Sequence, residues 1–134
     1  MAESNEHRRY VDLLKKSVIK TIPSVVESLI RVDDGSDKGR PPKIGGHIPD
    51  LYYNWESLMI IGEAKTPLDL ERPHSLKQYT SFLKDCEKHQ GTAVFFLFTD
   101  WRHGVSAENA MVHLKSMMGL EGVRTEIVTQ LTLI

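Results

Sequence analysis

The run Pro49-Asp50-Leu51-Tyr52-Tyr53-Asn54-Trp55-Glu56-Ser57-Leu58-Met59-Ile60-Ile61-Gly62-Glu63-Ala64-Lys65 decides the reading of this 134-residue chain. Residues 48–53 and 58–65 are strand-like pieces separated by Asn54-Trp55-Glu56-Ser57, the pattern of a β-hairpin. A loop of two or four residues that sets Tyr53 against Leu58 brings Asp50 opposite Ile61. Side chains alternate along a strand, so Asp50, Ile61, Glu63 and Lys65 share one face. Asp50 and Glu63 then stand as diagonal neighbours, with Cβ atoms about 7–8 Å apart or slightly less. Two carboxylates so placed can converge on one hard cation. Mg²⁺ suits the pair, because it takes oxygen ligands and keeps several waters and substrate oxygens. Lys65 lies beside it.

These residue types match a definite chemistry. A phosphodiester is anionic, so an attacking hydroxide is repelled and negative charge accumulates in the transition state. A metal held by Asp50 and Glu63 would lower the pKa of a bound water and screen the phosphoryl oxygens. Lys65 would stabilise the developing charge or position the water. The competing account is an ordinary surface pair on the polar side of a hairpin. Against it, residues 58–61 are too apolar for an exposed edge, so Glu63 and Lys65 end a buried strand, where charges need a reason. Gly62 is expected to admit a substrate backbone or another strand at close range.

Outward from the hairpin, Tyr10, Val11, Leu14 and Val18 recur at helical spacing over residues 6–20. Pro23 interrupts, and residues 24–32 read as a second helical piece. Residues 33–46 have loop composition. After the hairpin, 66–72 is a loop and Pro73 opens a helix to about His89, with Leu76, Tyr79, Leu83 and Cys86 as its core stripe. Residues 92–98 form an apolar strand buried on both faces. Residues 106–118 form a helix closed by Gly119, and 123–131 a last strand. The expectation is one α/β domain over residues 1–134, a mixed sheet with helices on its faces in the α+β manner.

Pro49-Asp50 followed by Glu63-Ala64-Lys65 at the end of an apolar strand resembles the signature of the PD-(D/E)XK, or restriction-endonuclease-like, nuclease superfamily. The order helix, hairpin, helix, strand is similar as well, and the likeness covers roughly residues 6–98. It implies a restriction-endonuclease-like core and endonucleolytic cleavage of DNA. It further implies Mg²⁺, replaceable by Mn²⁺, held by Asp50, Glu63 and the Ala64 carbonyl, with Lys65 as electrostatic catalyst. Many members add an acidic residue from the helix before the hairpin; Glu27 is the candidate and Glu6 the fallback. Many carry a glutamine in the helix after the lysine, a place Gln78 occupies, where it would orient Lys65 or a phosphate. Ser75-x-x-Gln78 also reads as a helix capping box. Recombination nucleases show a tyrosine four residues after that glutamine; here the position holds Phe82, and Tyr79 follows Gln78 directly, a departure from that subgroup.

Composition sets the remaining bounds. The single cysteine, Cys86, excludes an internal disulfide and agrees with a reducing, cytoplasmic setting. The longest apolar run, residues 93–98, is strand-sized rather than membrane-spanning, and the polar N-terminus lacks the apolar core of a secretory signal. Net charge is −1, so the chain is no polycation. The positive charge is uneven: Arg8, Arg9, Lys15, Lys16 and Lys20 cluster early, and Lys38, Arg40 and Lys43 occupy the loop leading to Asp50. One face offers few basic contacts, so engagement of DNA is expected to need a second copy, as a homodimer, or a partner protein. No glycine-rich phosphate loop and no zinc-type spacing is present, so no organic cofactor is expected. His47 and His74 read as polar surface, Tyr52 and Trp101 as core. The rival readings are a non-catalytic binding module on the same fold and a nuclease subunit active only in a larger assembly.

Overall fold

The computed structural model describes residues 4–34 and 39–134, so Lys38 of the basic loop lies outside the described residues. Helix α1 spans Asn5–Thr21, and Ser4 caps it by accepting the His7 N–H at 3.0 Å. Tyr10, Val11, Leu14 and Val18, the apolar stripe of the sequence, form its buried face. The expected second helical piece is absent. After Pro23 the chain makes a 3₁₀ turn, Glu27–Leu29, and then a short strand, β1 (Arg31–Val32). Val25, Val26, Ile30 and Val32 of this stretch lose rotamer freedom in a helix. The Val26 N–H donates instead to the Tyr53 hydroxyl at 3.2 Å, and β1 pairs antiparallel with the next strand.

The sheet has five strands in the order β1-β2-β3-β4-β5. Strand β2 (Leu51–Trp55) runs antiparallel to β3 (Leu58–Ala64). Helix α2 (Pro73–Lys88) carries the chain to β4 (Thr92–Phe98), parallel to β3. Helix α3 (Gly104–Met118) carries it to β5 (Arg124–Val128), parallel to β4. This is a mixed α/β sheet flanked by helices, as the element order implies. Gly119 closes α3 in the left-handed conformation, φ 68°. The expected last strand stops at Val128, and Gln130–Leu133 forms a 3₁₀ turn.

Alternation along β3 and β4 builds two core layers. Met59, Ile61, Phe95 and Leu97 pack with Tyr79, Phe82 and Leu83 of α2 and Ala107 and Met111 of α3. Ile60, Ala64, Phe96 and Phe98 pack with Tyr10, Leu14 and Val18 of α1. Tyr79, Leu83 and Cys86 are buried as expected, and Leu76 is half-buried against them. Trp101 is not core: it is 53% exposed on a 3₁₀ turn, Trp101–His103. Tyr52 is half-buried with the Arg31 guanidinium over its ring. Among the described residues no helix is long and apolar enough to cross a membrane.

Two details of the hairpin differ from the sequence reading. Trp55 pairs with Leu58, so the turn is Glu56-Ser57 alone, both residues at positive φ (49° and 68°) as a type I′ turn requires. Tyr53 therefore faces Ile60, and the register moves by two residues. Gly62 serves α1 rather than a ligand. A Cβ there would meet Leu14 Cδ2 at 3.1 Å and Leu51 Cβ at 3.2 Å, so its bareness lets α1 lie close on the sheet. Gly62→Ala is expected to cost about 1–3 kcal/mol by overpacking, read as a lower urea midpoint at unchanged m-value.

Candidate active site

The corrected register sharpens the site. Leu51 pairs with Gly62, so the next step outward sets Asp50 directly opposite Glu63. The shift is even, so the faces are preserved while the carboxylates move from a diagonal to a facing relation, about 5 Å apart at Cβ. Each is tied to the other strand. The Asp50 N–H donates to Glu63 Oε1 at 2.9 Å, and the Ala64 N–H donates to Asp50 Oδ2 at 2.9 Å. Both side chains are buried, Glu63 at 3% exposure and Asp50 at 9%. In a strand the N–H and C=O of one residue point to the same side. The Ala64 carbonyl thus lies on the Asp50 side.

Electrostatics at the pair are unbalanced. Burial, and then the Asp50 charge, push the Glu63 carboxyl well above the ordinary glutamate range; Lys65 and the Asp50 N–H pull the other way without offsetting this. Lys65 Nζ lies 3.4 Å from Glu63 Oε2 and donates a hydrogen bond to Gln78 Oε1. The capping-box account of Gln78 does not hold. Arg72 is the N-cap of α2, and the Ser75 hydroxyl donates to the Asp69 carbonyl instead. Gln78 is thereby free to hold the lysine.

The structure brings together Asp50, Glu63, Ala64, Lys65 and Gln78, but not Glu27. The Glu27 carboxylate is exposed and stands 4.0 Å from Lys15 Nζ. Lys15 is eight residues along α1 from His7, which touches Asp50, a separation of about 12 Å at the helical rise. The reason is the missing helix: the 3₁₀ turn of Glu27–Leu29 lies where Tyr53 ties down Val26, toward the far end of β2. The fallback, Glu6, is exposed on the first turn of α1, where its charge helps raise the Tyr10 hydroxyl pKa, after burial and Asp100. His47 and His74 stack edge to face at 5.6 Å near the start of α2. Of the basic residues, Arg40 pairs with Asp33 at 3.6 Å, Lys16 with Asp12 at 3.1 Å, and Lys20 donates to the Ile134 carbonyl at 3.1 Å.

The site also holds residues that sequence reasoning missed. His7 Nε2 lies 3.3 Å from Asp50 Oδ2. One turn on, Tyr10 donates to Asp100 Oδ2 at 3.4 Å, while Arg102 donates to Asp100 through its backbone N–H and through Nε at 2.9 Å. These hydrogen bonds from Arg102 hold the Asp100 carboxyl well below the usual carboxylate range. A signal for Asp100 was present: it follows the apolar run of β4 as Glu63 ends that of β3. His7 had none, because only tertiary packing lays the first turn of α1 over the strand ends.

Among the described residues no group of three or more His, Cys, Asp or Glu side chains is disposed to hold a metal ion. An all-side-chain cage of the zinc type therefore does not fit. A cation that takes two carboxylates, a carbonyl and waters, as Mg²⁺ does, fits the donors present. No protein-family model matches the chain, and searches of curated proteins and of solved structures find no match.

Proposed function

We propose that this chain is a metal-dependent nuclease of the PD-(D/E)XK kind, hydrolysing phosphodiester bonds of DNA. The observation that carries the reading is the facing of two buried carboxylates, Asp50 and Glu63, beside a lysine that Gln78 holds in place. Mg²⁺, bound by these carboxylates and the Ala64 carbonyl, would supply a water of lowered pKa and charge for the phosphoryl oxygens. Lys65 stands half-buried on the same face, so its ammonium acts in a partly water-excluded setting, where a fixed charge is worth most against developing negative charge. Gln78 is a positioning residue: it accepts from Lys65 and limits the directions Nζ can take. Asp50 and Glu63 also fix the strand ends through their backbone hydrogen bonds, so ligand geometry is set before substrate arrives.

Those same cross-strand bonds favour one alternative, a clamp that holds the hairpin in a non-catalytic binding module. The near-neutral charge supports dependence on a second copy or a partner subunit for grip on DNA. The deciding experiment is cleavage of labelled linear, circular, branched and single-stranded DNA and of RNA, in Mg²⁺ and in Mn²⁺. EDTA and Lys65→Ala are the controls. Cleavage abolished by EDTA and slowed at least about a hundredfold by Lys65→Ala is the expected result, the latter being the scale for losing one fixed charge at the transition state. Absence of cleavage with every substrate in both metals would sink the reading for the isolated chain.

A further inference from the structure

Just past the strand ends that carry the candidate site is a turn that the proposed chemistry leaves unused. Strand β4 ends at Phe98, and Asp100 opens the 3₁₀ turn Trp101–His103. Tryptophan is highly buried on average, yet Trp101 is 53% exposed. The backbone beneath it is tied at every step. The Trp101 N–H donates to Gln130 Oε1 at 2.8 Å, the His103 N–H to the Asp100 carbonyl at 2.8 Å and the Gly104 N–H to the Trp101 carbonyl. The buried Asp100 carboxylate accepts from the Arg102 N–H at 3.0 Å, from Arg102 Nε at 2.9 Å and from the Tyr10 hydroxyl at 3.4 Å. A buried charge persists only when it is paired and hydrogen-bonded. This one fixes the chain on either side of an exposed indole.

The turn lies close to the site. His7 and Tyr10 are about one turn apart on α1, about 4.5 Å along its axis; the first contacts Asp50 and the second Asp100. Across the sheet, the Lys65 N–H donates to the carbonyl of Phe98, just before the turn, at 2.9 Å. Positive charge gathers at the same place. The Arg9 guanidinium lies 5.8 Å from the centroid of the Tyr10 ring, that of Arg102 pairs with Asp100, and both arginines are exposed. An aromatic side chain beside guanidiniums suits a nucleic-acid strand, whose bases stack and whose phosphates are anionic. A base inside a duplex has both faces covered by its neighbours, so only an unpaired or terminal base can take the indole.

We propose that Trp101, with Arg9 and Arg102 nearby, is a stacking platform for an unpaired nucleobase next to the scissile phosphodiester. The preferred substrate is then DNA with single-stranded character rather than continuous duplex. The inference rests on the nuclease reading for what becomes of the bound strand. Holding the indole on a fixed turn keeps the ordering cost of binding low, which favours affinity.

The test is binding of a short thymidine oligonucleotide to the metal-free protein in EDTA, against relaxed closed-circular duplex as the strand without unpaired ends. The chain has two tryptophans, so Trp55→Phe leaves Trp101 as the sole fluorescent indole. Saturable quenching by the single strand and none by the circle are expected. Anisotropy of a labelled strand reads the other variants. Trp101→Ala should weaken binding about five- to hundredfold, the range for losing one base stack, and Trp101→Phe should keep most of the affinity. Arg9→Gln should lower the slope of log affinity against log salt by about 0.7, one phosphate contact. These positions are exposed, so the variants should melt within about 2 °C of wild type. A merely structural turn would move melting and leave strand affinity alone. Wild-type affinity in Trp101→Ala, equal quenching by the circle, or no saturable binding by about 1 mM strand would overturn the inference. Quenching that follows protein concentration instead of DNA would also overturn it, marking the turn as a contact between copies of this chain. Binding is read without metal, so the two readings fail separately. Cleavage of DNA with wild-type affinity in Trp101→Ala removes only the stacking platform, whereas Trp101-dependent binding with no cleavage removes only the nuclease.

Discussion

Glu63→Gln is expected to abolish metal-dependent cleavage while raising the melting temperature of the metal-free protein. The loss follows from the proposed ligand role: several kcal/mol of charge stabilisation would depend on the metal, so the rate should fall on the order of a thousandfold or more. The gain follows from burial. The Glu63 carboxyl is held well above the ordinary glutamate range, chiefly by desolvation and then by the Asp50 charge. A carboxyl whose folded pKa is raised contributes stability that is full below its unfolded value, near 4.3, and is lost as pH rises through the folded value. Wild type should therefore lose stability relative to Glu63→Gln as pH climbs. The difference should be smallest at pH 4 and grow toward pH 8, read at about 3–5 °C per kcal/mol for a domain of this size. Glutamine keeps an oxygen to accept the Asp50 N–H. Mg²⁺ at about a hundred times its dissociation constant should add roughly 2.7 kcal/mol to wild type and nothing to the variant. Melting curves across pH, with and without Mg²⁺, check all three statements. A variant less stable than wild type at pH 8 would show that Glu63 is structural support, not a strained ligand.

The candidate site was legible in the sequence, and much around it was not. Asp50, Glu63 and Lys65 broke a rule that apolar strands otherwise keep, by placing charge at the end of a buried run. Violations of that kind are where function tends to sit. The strands and helices with clean periodicity, from α1 to β5, could be read because a buried face imposes its own spacing. The hairpin register could not. Glu56-Ser57 lacks the glycine or asparagine that usually marks a type I′ turn, while Asn54 offered a false turn signal inside β2. Residues 24–32 failed for a related reason. Their apolar spacing fits a helix, but Tyr53 and the edge of β2 offer the backbone a partner that a local reading does not see. Glu27 fell with that helix. His7 reaches Asp50 through tertiary packing alone.

Cys86 should label with a neutral thiol reagent at least a thousandfold more slowly in the native protein than in the unfolded chain. Burial, the larger cause, and the Asp85 charge push its thiol up to about 12. The thiolate is the reacting species, so at pH 8 its population falls by roughly a thousandfold from that of a free cysteine, before any steric shielding is counted. Cys86 sits on the inner face of α2 with Phe82 and Leu83, the helix that also supplies Gln78 to Lys65. Labelling therefore has to wait for the chain to open, and its rate measures the opening free energy of the layer that carries the site. Glu63→Gln should label more slowly than wild type at pH 8, and the difference should shrink as pH falls and Glu63 takes up its proton. Lys65→Ala removes the cation that stabilises ionised Glu63, so it should label faster if it opens the fold. An inactive Lys65→Ala protein that labels at the wild-type rate has lost charge at the reacting centre and kept its packing. Fast labelling of the native wild type, within about tenfold of the unfolded chain, would mean that the α2 layer opens freely and that Gln78 cannot hold Lys65 in place.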